Sequence, residues 1–408
     1  MDTNTITTMF PAQDYSLDDH YKLTHLKYDL APPALARLSR ALAELQTRND
    51  GGIACSFRAR NHPECEKLKR FAAQWARLHF GDNDIIGCDN LIASDFDSLV
   101  SMTMARGRSE RMPAALKMMV WFFAFDNFVD EPAHMGADLQ ASQEMMDAVM
   151  NVFHNVVAVE EVGIIKNGDK PEIVGPMKGG NSVYGSAIRV IRESARDWWN
   201  EMRQLGMSMR QQYRFVSVFK RYLDANTEQV AFRQLRHIPD LDTYKELRLH
   251  TNGWYVCGVI LEFVLGLDLP DEIVEHPLLA ALNVAASSYV MFVNDIFSFR
   301  KELSDGDLMN LVPVLLWHNL GGMSSICGGG VEAVVRETVA QALALVRELD
   351  GECVRLVAEI RAAVRGGNGP LADEGAAAAV DKYVDGISDW LAGNLRWHRI
   401  SKRYIVQE

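Results

Sequence analysis

The spacing of apolar residues constrains this chain more than any other feature. They recur every three or four positions through long segments at 34–47, 64–79, 113–129, 139–158, 182–205, 208–236, 241–266, 278–303, 307–319, 331–364 and 374–396. That is the period of helices that each bury one stripe. The segments are rich in Ala, Leu, Met, Arg and Glu, while alternating runs closed by hairpin turns are scarce. The sequence therefore predicts an all-α fold. Breakers fall at 162–181, 321–330 and 365–370, none with the character of an inter-domain linker, and no repeat of solenoid period is present. A single-domain helical bundle is the economical reading.

Composition narrows the function. With 42 Lys plus Arg against 54 Asp plus Glu, the formal charge is −12, so a polyphosphate surface is disfavoured and no nucleic-acid partner is expected. The opening MDTNTITTMF lacks the basic and apolar regions of a signal peptide, so a cytoplasmic location is expected. The longest apolar stretches, 118–125 and 253–267, read as buried helices and not as membrane spans, the first being too short and the second carrying Glu262. Six cysteines without a C-x-x-C pair fit reduced thiols. Cys55, His62 and Cys65 lack a fourth ligand at finger spacing, so zinc is not expected there.

Three stretches depart from this pattern. In VWFFAFDNFVDE (120–131) an apolar, aromatic helix runs into Asp126, Asn127, Asp130 and Glu131. Residues four apart differ by only about 40° around a helix, so Asp126 and Asp130 share a face. Hard carboxylate oxygens aimed at one place suit Mg²⁺, especially where substrate phosphates complete its shell. In YVMFVNDIFSFRKELSDGD (289–307) the same step from apolar to polar sets Asn294, Ser298 and Glu302 at i, i+4 and i+8, an oxygen ladder on one face, with Lys301 beside it. In NLRWHRISKRY (394–404) Arg396, Arg399, Lys402 and Arg403 accompany Trp397 and Tyr404, a basic and aromatic segment suited to an anion. The competing readings are an exposed acidic helix end, a polar helix face and a solvated tail.

Together these residues resemble class I terpene cyclases, most nearly the sesquiterpene synthases of fungi and bacteria. DNFVDE resembles the family's aspartate-rich motif, NDIFSFRKE its N-D-x-x-S-x-x-x-E triad, and Trp397 with Arg403-Tyr404 its closing W-x5-R-Y. The first two motifs stand 168 positions apart, and the resemblance spans about 60–404. The first 30 residues match nothing in the family, which leaves 31–408 as the cyclase α-domain. The resemblance also implies a diphosphate-sensing arginine at Arg248, 46 positions before Asn294, with Thr251 and Asn252 as linker and effector at a helix break. Lys301 matches a diphosphate-binding lysine, and Asn61-His62-Pro63 with Trp75 matches a structural N-terminal region. Asn127 is a departure, since many members carry an acid there.

The resemblance implies a helical bundle with a central cavity, three Mg²⁺ ions for which Mn²⁺ can substitute, and a prenyl diphosphate substrate, most often farnesyl diphosphate. Asp126, Asp130, Asn294, Ser298 and Glu302 would be the metal ligands. Arg248, Lys301, Arg403 and Tyr404 would hold the diphosphate, and Phe122, Phe123 and Trp397 would line the wall. Trp254, Tyr255, Met291, Trp317 and His398 are further wall candidates. Rival readings are a diterpene cyclase using geranylgeranyl diphosphate, a chain-elongating prenyltransferase and a helical scaffold without enzymatic activity. The triad in place of a second aspartate-rich motif argues against elongation, and a scaffold has no need of two aligned ligand ladders. A ferritin-like site is suggested by Glu131 and His134, but Pro132 and the lack of a second copy argue against it. A homodimer is compatible with the sequence.

Overall fold

A computed structural model describes residues 32–47, 52–53, 55–81, 87–131, 134–136, 138–161, 184–235, 237–321, 330–367 and 369–404. Its helices are α1 (Pro32–Thr47), α2 (Cys65–Phe80), α3 (Cys88–Ala93), α4 (Phe96–Thr103), α5 (Met112–Asp130), α6 (Leu139–Glu161), α7 (Gly185–Gln204) and α8 (Met209–Leu235). There follow α9 (Leu241–Thr251), α10 (Trp254–Val264), α11 (Asp271–Val274), α12 (Pro277–Ser304), α13 (Leu311–Asn319), α14 (Gly330–Arg365) and α15 (Glu374–Ile400), with 3-10 turns at Pro370–Ala372 and Lys402–Tyr404. No strand occurs among the described residues, and the all-α expectation holds.

Local chemistry explains the boundaries. Pro113 and Pro277 stand in the first turns of α5 and α12, where a missing N–H costs nothing. The Asp240 carboxylate caps α9, Asn310 caps α13 and Asp373 caps α15, each accepting from a first-turn amide. Two expectations need correcting, and two helices add to them. The segment 241–266 forms two helices, broken at Asn252-Gly253, where Gly253 takes the left-handed φ of 74°. The helix expected from 307 starts only at Leu311, because 305–310 folds back as a loop. Helices α3 and α4 were not anticipated, being too short to display a period. The breaker at 162–181 lies outside the described residues, as does most of 321–330.

Helix α5 is apolar on nearly every side because it is enclosed by α2, α4, α7 and α8. Helix α12 is the one described helix long and apolar enough to cross a membrane, and it is packed instead among α9, α13, α14 and α15. Between them lies a cavity lined from α4, α5, α8, α9, α10, α12 and α15. Contact of α15 with α4 is backbone on backbone: a Cβ at Gly393 would stand 2.5 Å from the Met102 carbonyl oxygen. Glycine there lets α15 approach closely enough to form one wall.

Candidate active site

The polar ends of α5 and α12 meet at one end of this cavity. Asp126, Asn127 and Glu131 line it from α5, and Asn294, Ser298, Lys301 and Glu302 line it from α12. Arg248, Thr251 and Asn252 enter from the α9 break, and Trp397, His398, Arg403 and Tyr404 from the C-terminal segment. The structure thus gathers the three sequence stretches around one space. Asp130 ends α5, and its side chain lies outside the described residues.

Arg248 is 7 % exposed and reaches three acceptors: Thr251 Oγ1 at 3.2 Å, Asn294 Oδ1 at 3.1 Å and Asp295 Oδ1 at 2.9 Å. Asp295, wholly buried, also accepts from the Tyr244 hydroxyl at 2.5 Å and the Leu311 amide at 3.1 Å. One carboxylate therefore ties the arginine to α12 and to the start of α13. Asn252 stitches the helix break: its Nδ2 donates to Ser287 Oγ at 2.8 Å and its Oδ1 accepts from the Trp254 amide at 2.8 Å. Thr251 and Asn252 accordingly flank a real interruption of the helix.

Asn294 Oδ1 faces Arg248, while its Nδ2 donates to Tyr404 Oη at 3.1 Å and lies 3.3 Å from His398 Nε2. His398 Nδ1 is 2.8 Å from the Asn394 carbonyl oxygen. Burial pulls the imidazole down to about 4 and pushes the Tyr404 phenol up to about 12, so at neutral pH the first is uncharged and the second keeps its proton. At the mouth, Arg403 Nη2 donates to Asn127 Oδ1 at 2.7 Å, and Lys301 Nζ donates to Glu131 Oε1 and to Asp305 Oδ2, both at 2.9 Å. Burial opposes the charge on Lys301, but Glu131 and Asp305 outweigh it and hold the ammonium above its ordinary range. Glu131 is thereby committed to Lys301, although its other oxygen stands 3.6 Å from His134.

Sequence reasoning missed several residues of the site. Asn310, fully buried, donates to Glu302 Oε2 at 2.8 Å, to Ser298 Oγ at 3.4 Å and to the Asp295 carbonyl at 2.8 Å, while its own oxygen caps α13. Tyr222 donates to Asp126 Oδ1 at 2.9 Å. Arg233 and Asp307 form a buried pair at 2.9 Å on the lining. Asn310 and Asp307 lie in the loop mistaken for helix, and Tyr222 and Arg233 belong to an ordinary-looking amphipathic helix. Nothing in their spacing marked them.

Below this polar end the lining turns apolar, with Leu99, Met119, Phe122, Trp254, Val290 and Trp390. Phe123, on the same wall, stacks on Phe96 at 4.2 Å between centroids, and the Arg403 guanidinium lies 4.8 Å from its ring. Of the further wall candidates Trp254 and His398 line the cavity, whereas Tyr255, Met291 and Trp317 do not. Tyr255 is about 100° around the helix from Trp254 and stacks on His250, and Met291 is similarly offset from the Val290–Asn294–Ser298 face. Of the basic terminal side chains only Arg403 reaches the site; Arg396, Arg399 and Lys402 are exposed, Arg399 donating to the Ile53 carbonyl.

The donor set fits a hard divalent cation. Burial, with Asp307 and Asp295 nearby, pushes the Glu302 carboxyl up to about 7, despite Arg248 and the Asn310 hydrogen bond. A half-buried carboxylate so short of positive charge, in line with amide and hydroxyl oxygens, suits an oxygen-seeking ion. Among the described residues no three His, Cys, Asp or Glu side chains converge as a self-sufficient metal site. Such a cation would thus draw further oxygens from water or substrate.

Residues 117–323 match the model of terpene synthase family 2, C-terminal metal binding, a span of half the chain that contains both α5 and α12 motifs. The chain is 27% identical over 357 residues to alpha-muurolene synthase of Coprinopsis cinerea, covering 87% of this chain and 72% of that one. It is 23% identical over 359 residues to 10-epi-cubebol synthase of Sorangium cellulosum, covering 86% and 97%. Among solved structures, germacradien-4-ol synthase from Streptomyces citricolor superposes with a TM-score of 0.63 at 19% identity, covering 85% of this chain and 97% of that one. T181N cucumene synthase gives 0.65 at 22%, covering 86% and 99%. With its motif-bearing helices inside the matched span and its fold shared with these synthases, the chain belongs to terpene synthase family 2 and is a class I terpene cyclase.

Proposed function

We propose that this enzyme is a Mg²⁺-dependent, cytosolic sesquiterpene cyclase that ionises farnesyl diphosphate and closes the resulting allylic cation into a cyclic hydrocarbon or alcohol. One observation carries the reading: a single cavity has cations and oxygen donors at one end and aromatic, aliphatic walls below. The similar proteins named as sesquiterpene synthases support the fifteen-carbon substrate.

Asp126 on one side and Asn294, Ser298 and Glu302 on the other would hold the Mg²⁺ ions, three by the family's pattern, with Asp130 as a further candidate ligand and Mn²⁺ as a substitute. Bound there, the metal supplies Lewis acidity that makes diphosphate a better leaving group. Arg248, Lys301, Arg403 and Tyr404 donate charge-assisted hydrogen bonds to the oxygens on which charge builds as the C–O bond breaks. Lys301 and Arg403 exchange their present acceptors, Glu131 and Asn127, for diphosphate oxygens. Tyr404, with its proton held by burial, stays a donor. The departing group leaves an allylic cation facing Phe122, Phe123, Trp254 and Trp397, whose ring faces stabilise positive charge and exclude water. Thr251 and Asn252 fix the helix break that turns backbone toward this space.

Incubation with ten-, fifteen- and twenty-carbon allylic diphosphates and Mg²⁺, followed by mass spectrometry of the extract, tests the reading. A volatile C15 product with diphosphate release is expected from the fifteen-carbon substrate alone. Preference for the twenty-carbon substrate would assign a diterpene cyclase, and lengthened diphosphates formed only with added isopentenyl diphosphate would assign a prenyltransferase.

A further inference from the structure

Trp254 opens α10 and lines the cavity, and α12 holds it at two points. Its backbone amide donates to Asn252 Oδ1 at 2.8 Å, and Asn252 in turn donates to Ser287 Oγ of α12 at 2.8 Å. Its indole N–H donates directly to Asn283 Oδ1 of the same helix at 3.1 Å. Asn283, Ser287, Val290 and Asn294 fall within about 60° of one another around α12, and Asn283 stands about 16 Å from Asn294 along the axis. One helix face thus carries the oxygen ladder at its polar end and the tryptophan clamp further down.

Asn283 is 8 % exposed and does not line the cavity. Its Nδ2 donates to the Leu279 carbonyl one turn back, at 3.0 Å, which leaves Oδ1 for the indole. A buried asparagine within a helix is disfavoured against leucine, both in helix propensity and in desolvation. Satisfying a buried indole does not by itself explain it. Trp198 and Trp199, buried away from the cavity, have no hydrogen-bond partner for their indole nitrogens among the described residues. What distinguishes Trp254 is its place on the cavity wall. An indole attracts a cation with its π face and repels it with its N–H edge, and rotation about the side-chain torsions exchanges one for the other. With the N–H committed to Asn283, the positive edge is withheld from the reacting chain.

We infer that Asn283 is a positioning residue for product specificity: by holding the indole N–H of Trp254 it fixes which part of that ring meets the carbocation, and so which cyclisation the wall favours. The inference rests on the cyclase reading above. Asn283 acts only through the ring, on the partition of products, with ionisation left to the groups at the mouth.

The test compares wild type with Asn283→Leu, which keeps the volume and removes the acceptor, Asn283→Asp, which keeps an acceptor oxygen, Trp254→Phe, which removes the N–H, and the double variant Trp254→Phe with Asn283→Leu. Each is given farnesyl diphosphate and Mg²⁺, with diphosphate release, product ratios and melting temperature measured. For Asn283→Leu, diphosphate release should stay within about threefold of wild type while the ratio of the two main products shifts roughly fivefold or more. Asn283→Asp should restore a ratio close to wild type. In the Trp254→Phe background, Asn283→Leu should leave the ratio where Trp254→Phe alone has put it, because there is no N–H left to hold. Asn283→Ala carries the test should the leucine variant not fold. An unchanged ratio in folded Asn283→Leu would overturn the inference, as would an equal further shift in the Trp254→Phe background, or a lower melting temperature and lower total turnover at constant ratio. Failure of the wild type to release diphosphate from any prenyl diphosphate would instead remove the cyclase reading, and the inference with it.

Discussion

The ring of Phe122 rests directly on Gly253: a Cβ at that glycine would lie 2.4 Å from Phe122 Cε1. The aromatic residue one turn before Asp126 is therefore seated in the break between α9 and α10, and Gly253, at φ 74°, is required twice over. Gly253→Ala should destabilise the protein by roughly 2–4 kcal/mol, combining a left-handed alanine with overpacking. Adding Phe122→Leu should recover the overpacking share and leave the backbone share. Denaturant melts of the two single variants and the double variant measure the coupling, and strict additivity would contradict the contact.

Removal of the oxygen ligands separates chemistry from folding. Asp126→Ala and Glu302→Ala should lower turnover about 10³-fold or more, with melting temperatures near wild type. A chelator should silence the wild-type enzyme, and added Mg²⁺ or Mn²⁺ should restore it. Turnover that survives chelation would contradict the metal assignment.

Arg248→Ala and Arg403→Ala should each reduce kcat about 10²- to 10³-fold, because both act on charge that grows as diphosphate departs. Tyr404→Phe should cost about tenfold, since one neutral donor is lost. Single-turnover measurement of diphosphate release distinguishes these effects from slow product escape.

Asn310 touches Ser298 and Glu302 without being a ligand itself. Asn310→Ala should raise the Mg²⁺ concentration for half-maximal activity roughly 10- to 100-fold, the range seen when the support of a metal ligand is removed. Saturating Mg²⁺ should restore much of the rate. A lower rate at every metal concentration, with unchanged half-saturation, would mark Asn310 as structural alone.

Glu302 predicts a pH dependence. Its folded pKa, near 7, stands above the ordinary carboxyl value of 4.5. The metal-free fold therefore has this group's full contribution below pH 4.5 and loses it as pH rises through 7, where the half-buried carboxylate ionises. Mg²⁺ should consequently raise the melting temperature more at pH 8 than at pH 6, and Glu302→Gln should flatten that difference. Thermal melts at both pH values, with and without Mg²⁺, provide the check.

Much of this was legible in the sequence for a physical reason. A buried helix that turns polar within one turn must aim those groups at an interior space, which is why Asp126 and the Asn294–Ser298–Glu302 ladder could be read from spacing. Aromatic wall residues were harder, because Trp254 and Tyr255 are adjacent and equally apolar, and only the rotation of α10 decides that Trp254 faces the cavity. Asn310 and Asp307 were invisible for a different reason. Their roles depend on a loop that folds back on the preceding helix, and loop direction leaves no periodic trace.

The contact of Gly393 with Met102 also bears on how the molecule assembles. The two positions are 291 residues apart in sequence, and Trp397 Nε1 reaches back in the same way to the Ser94 and Asp95 carbonyls. Closing a loop of that length costs about 5 kcal/mol of chain entropy before any contact repays it, whereas turns within α8 or α12 form locally. The wall between α4 and α15 is thus the last to gain from folding and the first to open. Hydrogen exchange should find the amides around Met102 and Asn394 less protected than those of α5 and α12, so that heat removes the reaction chamber while most of the helices still stand.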